Sequence, residues 1–148
     1  MSRFFSTKYA SLTPYTPGEQ PRERKFVKLN TNESPFLPSP RAVAGAAKAA
    51  ENLQLYSDPT CKALTDKASQ IFGVKPEQVV FTNGSDDALN FAFMAFCDAD
   101  HPAIFPDITY GFYKVFAKLN GVPFEEKPLK DDFTVNVEDY VNCGRTVF

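Results

Sequence analysis

Val79-Val80-Phe81-Thr82-Asn83-Gly84-Ser85-Asp86-Asp87-Ala88-Leu89 decides how this chain folds. Residues 78–82, Gln-Val-Val-Phe-Thr, form a short run with three β-branched residues, which predicts a buried strand. Asn83-Gly84 predicts a turn, and the pattern from Ser85 to Cys97 predicts a helix. The same order returns downstream: a short strand at 103–105, a helix over 109–119 closed by Asn120-Gly121, and a strand over 122–129. A helical turn at 137–141 and a strand beginning at 146–148 follow. Strands alternating with helices imply an α/β class, with a mainly parallel sheet and helices on both faces.

Upstream, the pattern changes. Six of the 12 prolines fall within the first 40 residues, and proline lacks the N–H that helices and central strands need. Residues 1–38 are therefore expected to form an extended, Pro-rich arm, with one short strand at 26–29, and residues 39–148 the α/β body. Ser39-Pro40 opens a helix to about Asn52, with Ser as N-cap and Pro at the first position. Asp58-Pro59 is expected to repeat that device. The helix it starts carries Leu64, Ala68, Ile71 and Phe72 on one face and ends at Gly73.

Composition narrows the function. With 16 Lys and Arg against 18 Asp and Glu, the net charge of −2 is no match for a phosphate backbone, so nucleic acid is not expected as a partner. The longest apolar run, residues 91–97, is far short of the roughly 18 residues that span a bilayer. No segment has signal-peptide character, and a cytoplasmic protein is expected. Three cysteines, Cys61, Cys97 and Cys143, include no C-x-x-C pair, which argues against both a disulfide framework and a zinc site. Reduced thiols are expected, at least two of them packed as small apolar residues.

Two places suit ligand chemistry. The Gly84-Ser85-Asp86 turn leads into a helix, whose free first-turn amides and positive dipole end suit a phosphate. The same residues also serve as ordinary helix caps, and they form neither a Walker A loop nor a G-x-G-x-x-G fingerprint. Tyr110, in Pro106-Asp107-Ile108-Thr109-Tyr110-Gly111-Phe112-Tyr113, projects beyond the carboxyl end of a strand, where open α/β sheets bind ligands. It suits stacking on a flat ring, or a place as a rim aromatic. Tyr15 and Tyr56 sit in Pro-bounded loops and are ambiguous alone. His101 is the only histidine and reads as a solvated loop residue, so no Ser-His-Asp set exists within the chain.

Taken in order, Leu12-Thr13-Pro14-Tyr15-Thr16-Pro17-Gly18-Glu19-Gln20-Pro21, Lys28-Leu29-Asn30-Thr31-Asn32-Glu33-Ser34-Pro35, Tyr56-Ser57-Asp58-Pro59, Thr82-Asn83-Gly84-Ser85-Asp86-Asp87 and Thr109-Tyr110-Gly111-Phe112-Tyr113 resemble the N-terminal part of histidinol-phosphate aminotransferases. These are pyridoxal-phosphate enzymes of the aspartate aminotransferase fold. Threonine-phosphate decarboxylases share much of the pattern. The resemblance implies the front half of the cofactor-binding large domain, and it implies roles. Backbone amides at Gly84, Ser85 and Asp86 hold the cofactor phosphate, Tyr110 stacks on its ring, and Tyr56 reaches a neighbour's cofactor across a homodimer. Tyr15, Asn32 and Glu33 lie near a phosphorylated amino substrate, with a 2-oxo acid as acceptor.

The resemblance also implies what is missing. None of the eleven Lys stands in the family's S-x-S/T-K context, so the Schiff-base Lys is absent and this chain contributes no catalytic residue of its own. The N-P-x-N-P-T-G segment and the substrate-binding Arg segments are absent too. The chain, ending at Phe148 within an apolar segment, is expected to be a piece of the enzyme, inactive alone or completed by a C-terminal chain. A non-catalytic fragment binding a phosphorylated ligand or a partner is the other reading.

Overall fold

The computed structural model describes residues 4, 6–9 and 26–148. The described residues fall into two compact units: residues 77–148 with those of the N-terminus, and residues 26–76.

The 26–76 unit holds two helices, α1 (Pro40–Ala50) and α2 (Lys62–Phe72). Ser39 caps α1, its Oγ accepting from the Ala42 amide at 3.2 Å, with Pro40 at the first position as the Ser-Pro pair predicts. α2 starts three residues later than Asp58-Pro59 predicts. Asp58 instead organises a turn, accepting from the Thr60 amide (2.9 Å), the Thr60 hydroxyl (2.7 Å) and the Lys62 amide (2.8 Å). The carboxylate reaches the amide of the helix's first residue, while Cys61 takes the N-cap position in a left-handed conformation (φ 47°). Of the expected apolar face only Ala68 is buried; Leu64, Ile71 and Phe72 are exposed. Gly73, at φ 67°, closes α2 as expected. Among the described residues, 26–29 carry no strand, and Val27 and Leu29 are exposed.

The other unit is built on a three-stranded parallel sheet in the order β2-β1-β3. Its strands are β1 (Ala103–Pro106), β2 (Phe124–Lys127) and β3 (Thr146–Val147). β1 is central, with Ala103 opposite Phe124 on one side and Thr146 on the other. Helix α3 (Ser85–Phe96) precedes β1, and α4 (Phe112–Asn120) connects β1 to β2. α4 begins three residues after Thr109 and ends at Gly121 (φ 69°). Residues 137–141 give the expected helical turn, with a 3-10 segment at Val137–Asp139.

The segment at 78–82 is the main departure. Pro76–Gln78 is a 3-10 turn, and residues 79–82 carry no strand. A strand exists only with a ladder partner, and among the described residues none pairs with it; Val80 stays exposed.

The core of this unit is aromatic. Phe93 of α3, Phe116 and Ala117 of α4, Ala103 and Phe105 of β1, Cys97 and Val122 are all buried together. Phe93 and Phe105 are fully enclosed, and each such ring contributes roughly 2–3 kcal/mol by leaving water. Ile104, between Ala103 and Phe105, is also fully buried, facing the other side of the sheet by strand alternation. Of the cysteines, only Cys97 belongs to this core. Cys143 is half-buried and Cys61 exposed, so the expectation of two packed thiols does not hold. All three are free thiols.

Candidate functional site

Gly84 is the N-cap of α3, with φ 85° and ψ 172°. That conformation is essentially closed to residues with a Cβ, which explains why the turn carries glycine here. Among the described residues no side chain caps the helix. The first-turn amides of Ser85 and Asp86 lack helical acceptors by geometry, and the dipole adds partial positive charge there. A Cβ at Gly84 would meet nothing within 4 Å.

Asp86 and Tyr110, 24 positions apart, meet at this end of α3. The Tyr110 hydroxyl donates to Asp86 Oδ1 at 2.7 Å. Tyr110 lies in the loop after the carboxyl end of β1, and Asp107 ties that loop down. The Asp107 amide donates to the Lys127 carbonyl at 2.9 Å, and its Oδ1 accepts from the amides of Ile108 (2.9 Å) and Leu129 (3.0 Å). The loop is thus fastened to the end of β2. Phe112 stacks on the Tyr110 ring (centroids 5.6 Å apart, 20° between planes), and Tyr113 meets it edge-on at 5.9 Å. Tyr110 remains 45% exposed, so it is held at the surface rather than packed away.

The other expected site residues are placed as follows. Tyr56, in the loop after α1, is wholly exposed. Asn32 and Glu33 lie in a turn where Thr31 and Asn32 adopt left-handed conformations (φ 62° and 51°). Glu33 pairs with the Lys28 ammonium, whose hydrogen bond and charge hold its carboxyl below the usual range. These three belong to the 26–76 unit. Tyr15 lies outside the described residues. His101 is exposed, with Nδ1 2.8 Å from Asp98 Oδ1.

Sequence reasoning missed two contributors: the Asp107 staple and the aromatic bed that Phe112 and Tyr113 give Tyr110. The 15 phenylalanines were a signal for the bed; Asp107 had none, because its partners lie across the β1–β2 crossover.

A helix terminus without a side-chain cap, joined to a propped tyrosine beyond a parallel strand, is the candidate site of this α/β fold. The sequence matches the aminotransferase class I and II family over residues 24–143, and the chain belongs to that family. Within it, the chain is similar to histidinol-phosphate aminotransferases. It is 51% identical over 150 residues to the one from Acetobacter pasteurianus, covering 99% of this chain and 42% of that protein. To the one from Marinomonas sp. (strain MWYL1) it is 48% identical, covering 96% and 40%. The chain therefore spans about two fifths of the length of these relatives. In fold it is similar to the crystal structure of histidinol-phosphate aminotransferase from Sinorhizobium meliloti in complex with pyridoxal-5'-phosphate. That likeness has a TM-score of 0.74 at 22% identity, over 89% of this chain and 37% of the other. Among the described residues no helix is long and apolar enough to cross a membrane.

Proposed function

We propose that this chain is the N-terminal portion of a pyridoxal-phosphate-dependent histidinol-phosphate aminotransferase. The whole protein would transfer an amino group between histidinol phosphate and 2-oxoglutarate in histidine biosynthesis, in the cytoplasm and as a homodimer. The hydrogen bond from Tyr110 to Asp86 carries this reading, because it joins an aromatic ring to the amides of an uncapped helix end. A phosphate and a flat ring are the two parts of the cofactor that such a pair suits. The Gly-only backbone at Gly84 and the open space beside it fit that use.

In this reading the amides at Gly84, Ser85 and Asp86 hold the phosphate, the α3 dipole favours its charge, and Tyr110 lies against the pyridine ring. The cofactor, when bound, supplies the electron-withdrawing ring that amino transfer requires. Tyr56, wholly exposed, is free to reach a second subunit's cofactor phosphate. Tyr15, Asn32 and Glu33 orient the phosphorylated amine and the 2-oxo acid. The lysine that bonds the cofactor comes from elsewhere: from a longer form of the same chain or from a complementing one.

Intact mass of the native protein, with the coding sequence read beyond codon 148, tests the proposal. A continuing frame containing N-P-x-N-P-T-G and a lysine in S-x-S/T-K context supports it, and that longer protein should then transaminate histidinol phosphate. A stop after Phe148 with an agreeing mass, and no activity with any co-expressed chain, rejects it.

A further inference from the structure

The amides of α3 that suit a phosphate belong to the same turn as two carboxylates, Asp86 and Asp87. A carboxylate in a helix's first turn competes with an incoming anion for the same dipole and the same N–H groups. At Asp86 this conflict has a visible answer. Its Oδ1 accepts the Tyr110 hydroxyl at 2.7 Å, while the ring of Tyr110 is fixed by Phe112 and Tyr113.

We infer that Tyr110 and Asp86 are mutual positioning residues: the Tyr110 hydroxyl holds the Asp86 carboxylate off the amide-lined anion seat, and the carboxylate fixes the tilt of the Tyr110 ring. This rests on the cofactor reading above and adds a role for the Tyr110 hydroxyl separate from that of its ring. The hydroxyl's effect is then electrostatic and passes through Asp86. Without it, the carboxylate is released toward the Ser85 and Asp86 amides, where it repels a dianionic phosphate. The ring alone, as in phenylalanine, keeps its stacking face. An asparagine at 86 accepts the tyrosine hydrogen bond and brings no charge.

The test uses the 148-residue chain and its Y110F, D86N and Y110F/D86N variants, each checked for folding by circular dichroism. Each is titrated with pyridoxal phosphate, with pyridoxal and with inorganic phosphate, following ligand absorbance and tyrosine fluorescence, or calorimetry for phosphate. Expected is a loss of about five- to tenfold in affinity for the two phosphate-bearing ligands in Y110F, the scale of one ordinary net hydrogen bond. Pyridoxal, which lacks the phosphate, should change by less than about twofold. D86N should bind phosphate at least as tightly as the unmodified chain, and Y110F should cost less than about twofold in the D86N background. A Y110F loss of equal size with either residue at position 86, or one shared by pyridoxal, overturns the inference and leaves the cofactor reading standing. Failure of the unmodified chain to bind either phosphate-bearing ligand overturns the inference for this chain, while the cofactor reading of the whole protein stands or falls on the activity of the longer or complemented form.

Discussion

The rings of Phe93 and Phe148 lie parallel, with centroids 4.0 Å apart and 10° between planes. The contact joins the middle of α3 to the residue after β3, and Phe148 also meets Tyr113 at 5.9 Å. Through Phe116, 6.0 Å from Phe93, and Phe112, 5.6 Å from Phe116, the stack continues to the aromatic that backs Tyr110. The core of this unit and the support of the candidate site are thus one continuous aromatic assembly.

Phe93→Ala should destabilise the 77–148 unit by about 3–5 kcal/mol, since it opens a cavity in a fully enclosed position. Phe148→Ala, at a half-buried position, should cost less. The double variant should show a coupling of about 0.5–1.5 kcal/mol, as expected for a stacked pair. Urea denaturation monitored by circular dichroism reads all three; strict additivity would show that the stack contributes nothing of its own.

Gly84→Ala places a Cβ in a backbone region essentially reserved for glycine, with no neighbour within 4 Å to clash. The cost is therefore conformational, about 1–3 kcal/mol. Relief of that strain would redirect the first-turn amides, so affinity for inorganic phosphate should fall along with thermal stability. A variant as stable as the original would mean that the turn relaxes freely.

The acid side of the stability profile should involve Asp98. The His101 ring, first, and the His101 amide hold its carboxyl below its ordinary value of 3.8. Because the folded carboxyl is the stronger acid, its stabilisation is present above that ordinary value and is lost as pH falls below it. Asp58 and Asp132 follow the same rule, held down by Thr60 and Thr134 respectively. His101→Ala should lower stability slightly at neutral pH and flatten the decline below pH 3.8. An acid profile unchanged by the substitution would remove this site from the account.

Thiol reactivity should rank by burial. Cys61 is exposed and should label quickly with a disulfide reagent at pH 8. Cys97 is buried, and that burial pushes its thiol pKa up, so it should label only as the unit opens. Mass spectrometry of partially labelled chain gives the order; early modification of Cys97 would show that the α3 terminus opens readily.

What the sequence determined by itself was local. The Ser39-Pro40 start of α1, the Gly73 and Gly121 helix ends, the opening of α3 after Gly84 and the position of β1 each depend on a few adjacent residues. Their φ preferences and capping groups act within one turn. From α3 onward the order of strands and helices followed from the same signals, and the five motifs together pointed to the family. Tertiary structure decided the rest. Residues 79–82 have the composition of a strand but join no sheet among the described residues, and pairing is not a local property. Asp58 was legible as a capping residue, yet its carboxylate closes a turn ahead of α2, and the α2 face read as core stays largely exposed. The bond between Tyr110 and Asp86, and the Asp107 staple, span 24 and 22 positions. Contacts at that distance depend on where β1 sits between its neighbours, which pairing and core packing establish and local sequence does not encode.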